Sequence, residues 1–316
     1  MQEPLFDLSR HRVCVILNPG SGSKDDRAVA RAIEDALKPR CAGFALRQTA
    51  RGSDIVAVAR GAVAEGFEVI VAAGGDGTQS AVAGALAGTD AIMGVLPGGT
   101  FNYFARGLGV GEEIPEALDS IGHARVARVD IGQIENLVFL NNVSLGAYPH
   151  ILKTRESIYR RWGRSRLAAY WSVLVALRRL RRPMTLTATV NGESRDYTTA
   201  LVFVARSAYQ LDSFGLDGAD AIRDGKFAVL IAKARQPLPL LRSAFRLAFG
   251  FSAKDSDFDM IVTDDLTIVT PRKRMLIAHD GEKTMMASPL HLKVWHGGLR
   301  VLLPAEAPAE TKDRAA

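Results

Sequence analysis

Cysteine is scarce: Cys14 and Cys41 are the only two in 316 residues. Two cysteines make no disulfide framework, and a reducing compartment, the cytoplasm, is the expected setting. Cys14 sits in a strand-like apolar run, which predicts a buried, reduced thiol. Long apolar runs are also missing. No stretch of about 18 uninterrupted apolar residues occurs, so no membrane-spanning helix is predicted. Residues 1–12 are mixed and polar, without the apolar core of a secretory signal. No internal repeat is found. Two nucleotide fingerprints are absent as well. Neither G-x-G-x-x-G nor G-x-x-x-x-G-K-[ST] occurs, which excludes the Rossmann and Walker readings.

What is present is an ordinary globular composition, 47% hydrophobic and 23% charged. The length predicts two domains, each large enough for its own core. The formal net charge is +6, which suits nucleic acid, anionic lipid or phosphorylated ligands equally. Its distribution is more telling. Arg155, Arg160, Arg161, Arg164 and Arg166 precede an apolar stretch, Leu167–Leu177, and Arg178, Arg179, Arg181 and Arg182 follow it. That stretch is about half the length a spanning helix needs.

The first 110 residues alternate strand and helix patterns. Strands are predicted at 12–17, 44–49, 68–73 and 91–96. Helices are predicted after the turn at 18–23, with Val29, Ile33 and Leu37 on one face, and at 54–65 and 78–87. Such alternation implies a parallel sheet with right-handed crossovers. Ligands of these sheets sit outside the carboxyl ends of the strands. Asn18, Thr49, Gly74 and Gly98 all fall at those ends. From about residue 125 the texture changes to short strands with turn signals. Hairpins are predicted at Glu135-Asn136 and at Asn191-Gly192, the latter between strands 184–190 and 198–206. More strands follow around Phe227, Ile261, Ile268, Leu276, Leu292 and Leu299, giving an antiparallel sandwich or barrel. Helical insertions are expected at 153–180 and 239–249. The expected organisation is an α/β domain over residues 1–124 and about 297–305, a β-rich domain over 125–296, and a disordered tail over 306–316.

The chemistry gathers in two glycine-rich strand-to-helix turns, Gly74-Gly75-Asp76-Gly77-Thr78 and Pro97-Gly98-Gly99-Thr100-Phe101-Asn102. Glycine at a strand end lets backbone approach a ligand, and the following helix N-terminus offers N–H groups that bind phosphate. Two such turns suggest a polyphosphate nucleotide. Asp76 would put a carboxylate among the phosphates, where a metal is needed; it could instead only cap its own helix, but the flanking glycines favour phosphate or metal work. Asp280-Gly281 alone reads as a common hairpin pair, in a turn between strand-like runs at 275–278 and 289–295.

Taken together, Asn18-Pro19-Gly20-Ser21-Gly22, the two turns, Phe104-Ala105-Arg106 and a late His279-Asp280-Gly281-Glu282 resemble the diacylglycerol kinase catalytic-domain family, which includes bacterial lipid kinases, sphingosine kinases and ceramide kinases. Val129-Asp130-Ile131-Gly132 and Asn141–Gly146 fit the same order. The resemblance covers nearly the whole chain. It implies a first domain similar to phosphofructokinases and NAD kinases, followed by an antiparallel β-sandwich domain with helical insertions. It implies ATP and Mg²⁺ as cofactors. Gly74, Gly75, Asp76, Gly77 and Thr78 would hold the phosphates. Asn18, Pro19, Gly20, Thr49, Gly98, Gly99, Thr100 and Asn102 would complete the nucleotide cleft. Asp280 would be the general base, with Glu282 and Asp76 as further catalytic groups; the first domain would hold ATP and the second, the lipid-acceptor domain, the lipid tail, with chemistry in the cleft between. Asp76 and Asp224 are the implied metal ligands, Asp224 by way of a structural magnesium loop over 220–224. Two departures concern the acceptor: Gln79-Ser80-Ala81 stands where relatives usually carry Asn-Glu, and Tyr103 where they often carry Asp.

Three readings fit the arginine-rich segment Arg155–Arg182: an amphipathic helix on an anionic membrane, a core helix with a solvated basic face, or a nucleic-acid site. A second apolar-plus-arginine segment, Leu238–Phe249, favours a shared membrane-facing surface. The expected partner is therefore a lipid substrate at an anionic membrane, on its cytoplasmic, inner face. Nucleic acid is not expected, and a homodimer stays open. The expected function is phosphoryl transfer from ATP to a lipid hydroxyl of diacylglycerol, ceramide or a sphingoid base. The rivals are a kinase of a soluble alcohol or dinucleotide, and a non-catalytic nucleotide- or lipid-binding regulator.

Overall fold

The computed structural model describes residues 5–18, 26–49, 52–146, 183–233 and 258–305. The chain divides into two units. One comprises Met1–Ile131, Leu137–Leu140 and Trp295–Ala316, the other Gly132–Asn136 and Asn141–Val294.

The first unit is built on strands β1 (Arg12–Leu17), β2 (Gly43–Gln48), β3 (Val69–Gly74) and β4 (Ile92–Pro97). They run parallel in the order β2-β1-β3-β4. Strand β16 (Leu290–Pro304) joins β4 in parallel through Arg300 and Val301. Strand β5 (Ala124–Ile134) pairs with β16 and with β6 (Leu137–Phe139). The helices are α1 (Asp26–Leu37), α2 (Ile55–Ala64), α3 (Asp76–Leu86), α4 (Tyr103–Leu108) and α5 (Ile114–Gly122).

The sequence dictates this layering because its strands are apolar on both faces, as parallel strands are. Along β1, Cys14 and Ile16 join a core with Ile55, Ala59, Ala62 and Val82. Val13, Val15 and Leu17 point the other way, into a core with Ile33, Leu37, Leu118 and Ile121. Helices must therefore cover both sides, each buried Ile or Leu contributing about 1.5–3 kcal/mol. Val29 packs against the second core half-buried beside the fully buried Ile33 and Leu37. Cys14 is a free, buried thiol, and burial pushes its pKa up to about 11.

Among the described residues the strands of the second unit pair antiparallel. One six-stranded sheet has the order β12-β11-β10-β7-β14-β15. Its strands are β7 (Asn142–Gly146), β10 (Leu201–Ala205), β11 (Phe227–Ala232), β12 (Phe258–Thr263), β14 (Arg274–His279) and β15 (Glu282–Ala287). In the other sheet β13 (Asp265–Val269) lies between the first residues of β16 and β8 (Met184–Val190), with β9 (Glu193–Thr199) outside β8. Two short helices, α6 (Ala208–Ser213) and α7 (Ala219–Arg223), pack Leu211, Ala219 and Ile222 onto Ala205, Ala228 and Leu230.

Three expectations are corrected here. The Asn191-Gly192 hairpin forms with φ of 52° and 81°, but its second strand is Glu193–Thr199, not 198–206. Its Glu-Ser-Arg-Asp start is exposed on an outer strand and so lacks the alternation that betrays a strand. The strand after Asp280-Gly281 is likewise the half-exposed β15, not the apolar run at 289–295. The runs around Leu292 and Leu299 belong to one strand, β16. The expected insertions at 153–180 and 239–249, the tail at 306–316, and Pro19 and Gly20 lie outside the described residues. Among the described residues no helix is long and apolar enough to cross a membrane.

Candidate functional site

In the first unit four chain segments end at the carboxyl edge of the sheet. β3 ends at Gly74, and Gly75 caps α3 in an extended conformation. β4 ends at Pro97, and the chain turns through Gly98, Gly99 and Thr100 to Asn102, which caps α4 in the left-handed region at φ 49°. The two turns touch backbone to backbone. A Cβ on Gly99 would lie 2.7 Å from the Cα of Gly75, and one on Gly75 would lie 3.1 Å from the Cα of Gly99. A side chain at either position would fill the space between the loops.

Hydrogen bonds fix this edge. The Gly74 carbonyl accepts the Gly98 N–H at 3.1 Å and Gln79 Nε2 at 3.0 Å. Asn18 Nδ2 donates to Thr78 Oγ1 at 2.9 Å, tying the end of β1 to the first turn of α3. Asn102 spends its amide within its own turn: Oδ1 accepts the Gly99 N–H and Nδ2 donates to the Gly99 carbonyl, both at 2.9 Å. It shapes the turn. Asp76 Oδ1 accepts the Phe104 N–H at 3.4 Å, so this carboxylate faces the start of α4. Thr49, at the end of β2, donates its N–H to the Leu17 carbonyl, and its buried Oγ1 has no hydrogen-bond partner among the described residues. Gly77 is half-buried and Thr100 exposed.

This donor set suits a polyphosphate: backbone N–H groups at an 11-residue helix start, glycines that allow contact, and hydroxyls at Thr49, Thr78 and Thr100. One carboxylate, Asp76, is enough protein for Mg²⁺, which keeps waters and phosphate oxygens as its other ligands.

Sequence reasoning missed Gln79, which is fully buried and binds the Gly74 carbonyl. Its signal was a long polar side chain in a helix otherwise made of small residues. The departure at Gln79 is thus a brace for the turn. The second departure, Tyr103, stacks on Phe101 with ring centroids 5.4 Å apart and planes 6° from parallel.

In the second unit Asp280 and Gly281 form the two-residue turn between β14 and β15, with φ of 43° and 86°. Positive φ at both positions is the type I′ hairpin that Asp-Gly favours. Asp280 is only 6% exposed. Its Oδ1 accepts the N–H groups of Asn141 at 2.8 Å and Asn142 at 3.0 Å, and its own N–H donates to the Asn142 carbonyl at 3.1 Å. Asn142 Nδ2 in turn donates to the buried Gln210 at 3.0 Å. Gln210 was also missed, although Ser207-x-x-Gln210 is a capping-box spacing: Ser207 Oγ accepts the Gln210 N–H. Glu282 is exposed at the start of β15. His279 packs beside this turn with Nε2 3.2 Å from Thr284 Oγ1, and its buried Nδ1 has no partner among the described residues. Burial pushes its pKa down, partly offset by Glu282.

In the loop matching the implied structural magnesium site an arginine already neutralises two carboxylates. Arg223 places one guanidinium nitrogen 2.6 Å from Asp212 and another 2.9 Å from Asp220, joining α6 to α7. Asp224 is exposed at the end of α7. Among the described residues no three His, Cys, Asp or Glu converge. The cation that these carboxylates need is an arginine.

A glycine-lined α/β sheet edge in one unit and an antiparallel β unit carrying a fixed, buried aspartate define a class of two-part α/β-plus-β proteins. Comparison with known proteins narrows the class. Residues 12–134 match the diacylglycerol kinase catalytic domain, and residues 143–303 match the YegS C-terminal NAD kinase beta sandwich-like domain. The chain belongs to the diacylglycerol kinase catalytic-domain family, in the form that carries the YegS-type second domain. Among curated relatives, proteins named diacylglycerol kinase from Staphylococcus aureus strains RF122 / ET3-1 and MRSA252 are each 36% identical over 137 residues. Each alignment spans 42% of this chain and 42% of the relative, less than half its length. A solved structure described as a diacylglycerol kinase from Bacillus anthracis str. Sterne superposes with a TM-score of 0.70. That match covers 93% of this chain and 97% of the other at 21% identity, a likeness of fold.

Proposed function

We infer that the protein is an ATP-dependent lipid kinase, transferring the γ-phosphate to a hydroxyl of diacylglycerol, ceramide or a sphingoid base. The observation that carries this reading is the contact of the Gly75 and Gly99 turns, which leaves backbone where a phosphate would sit, in a chain of this family.

In this reading the α3 N-terminus, Gly98, Gly99 and the hydroxyls of Thr78 and Thr49 hold and orient the nucleotide. Asn18, Gln79 and Asn102 keep the turns in place. Mg²⁺, when bound at Asp76, supplies charge neutralisation for the phosphates. Asp280 accepts the proton of the acceptor hydroxyl as its oxygen bonds to phosphorus and the bridging oxygen of the nucleoside diphosphate departs. The two N–H donors on Oδ1 fix the orientation of that carboxylate. Glu282, exposed two residues on, is a secondary acidic group. The segments Arg155–Arg182 and Leu238–Phe249 would bring the chain to an anionic membrane surface, where its acceptor resides.

The test is incubation with γ-labelled ATP and a panel of these lipids, followed by extraction. Label in the organic phase supports the reading. Label only on a water-soluble alcohol or dinucleotide, or none at all, refutes it.

A further inference from the structure

The carboxylate of Asp280 rests on main chain. The N–H groups of Asn141 and Asn142 both donate to its Oδ1, and its own N–H returns to the Asn142 carbonyl. The residues that start α6 take the other side of the same two positions. The Asn141 carbonyl accepts the N–H groups of Arg206 at 2.8 Å and Ser207 at 3.2 Å, and Asn142 Nδ2 donates to Gln210 Oε1 at 3.0 Å. Residues 141 and 142 are thus clamped between the Asp280 hairpin and one short helix.

The cap of α6 departs from the usual pattern at this point. In a capping box the glutamine at the third helical position turns back to the N–H of the capping serine. Here Ser207 Oγ accepts the Gln210 N–H at 3.2 Å, as the motif requires. Ser207, however, gives its own N–H to the Asn141 carbonyl, and Gln210 Oε1 takes the Asn142 amide instead. Asn142 and Gln210 are 8% and 5% exposed. Apolar side chains could replace such a pair at little cost to stability, because the net gain from one neutral hydrogen bond is small. What the pair adds is direction. It fixes how the 141–142 peptide faces Asp280.

With six residues α6 is too short to hold its own shape. It is braced from outside. Leu211 is buried against Ala205, Arg223 bridges Asp212 and Asp220, and Arg206 donates to the Ile222 carbonyl at 3.2 Å. Gln210 is therefore the side chain by which a braced helix reaches the peptide beneath the aspartate.

We propose that Gln210 is a positioning residue for Asp280, acting through Asn142 to set the direction of the carboxylate. This rests on the reading of Asp280 as the proton acceptor in phosphoryl transfer. A small misplacement of a reacting group, caused from a distance, lowers the rate by up to about a hundredfold.

Two measurements test this, and one of them needs no turnover. Hydrogen exchange of the Asn141 and Asn142 amides, read by NMR, reports their bonds to Asp280. Steady-state kinetics with ATP and diacylglycerol, ceramide or a sphingoid base reports catalysis. Wild type is compared with Gln210→Met and Gln210→Asn, either of which takes the acceptor away from Asn142, and with Asn142→Leu, alone and combined with Gln210→Met. Melting temperatures show that each assay runs on folded protein. In both Gln210 variants exchange at residues 141 and 142 should be about tenfold faster, with the amides of β8 unchanged. Their kcat should fall by about 10–100-fold while KM for ATP stays the same. In the Asn142→Leu background, Gln210→Met should cost nothing further. Unchanged exchange at residues 141 and 142 would overturn the proposal. So would an unchanged kcat, or a loss in the double variant that is the product of the two single losses. If the wild type phosphorylates none of the lipids, the kinase reading falls. Faster exchange then still supports the positioning role, and unchanged exchange ends it.

Discussion

Gly99 and Gly75 share a space too small for a methyl group: a Cβ on Gly99 would sit 2.7 Å from the Cα of Gly75. Gly99→Ala must therefore part the loops. Overpacking of this kind costs about 1–3 kcal/mol. We expect a lower melting temperature and a loss of phosphoryl transfer of about a hundredfold or more, since small misplacements of a transferring group are that costly. Gly52→Ala is the control, because none of the described residues lies within 4 Å of a Cβ there. Equal activity in the two variants would show that the loop contact is irrelevant to catalysis.

Asp280→Asn keeps an oxygen for the N–H groups of Asn141 and Asn142 and removes the proposed proton acceptor. The variant should melt within a few degrees of wild type and lose about a thousandfold in kcat, in the middle of the range for a general base. Asp280→Ala should be less stable, because two buried donors lose their acceptor at about 1–3 kcal/mol each. Turnover near the wild-type rate in Asp280→Asn would remove this residue as the base.

His279 gives the fold a predictable response to acid. Burial lowers its native pKa below the ordinary 6.5. Between those two values the unfolded chain binds more protons than the native one. The associated stability is complete above 6.5 and is lost as pH falls through the lowered native value. Urea unfolding of His279→Gln should show a flatter fall in stability than wild type between about pH 7 and pH 5. Parallel curves would assign the acid response elsewhere.

Arg223 should make the α6–α7 region indifferent to divalent cations. Wild-type melting temperature without nucleotide should not move on adding EDTA or Mg²⁺. Arg223→Met should lower it by about 2–4 °C, the equivalent of about 1 kcal/mol for two solvent-facing ion pairs. A wild-type melting point that rises with Mg²⁺ would return this loop to the metal.

Much of the first unit could be read from the sequence because its strands are apolar on both faces and its helices carry one buried stripe. Ile33 and Leu37 show this at four-residue spacing. The edge was legible too, since only glycine serves at Gly75 and Gly99, and the Asp280-Gly281 turn declared its backbone conformation. What stayed hidden were side chains whose role depends on distant partners. Gln79 reads as an ordinary helical residue until the Gly74 carbonyl is placed beside it. Arg223 reads as part of an acidic, metal-like loop until Asp212, 11 residues away in sequence, turns toward it. Strands β9 and β15 escaped because their exposed positions carry charge and methionine instead of a regular alternation.

One oxygen atom, the Gly74 carbonyl, receives hydrogen bonds from both Gly98 and Gln79. That shared acceptor is a hinge pin: displacement of either loop is transmitted to the other and to the first turns of α3. Exchange between paralogues should therefore succeed only when residues 74–79 and 98–102 travel as a matched set, and a chimaera carrying one half alone should lose the nucleotide before it loses its fold.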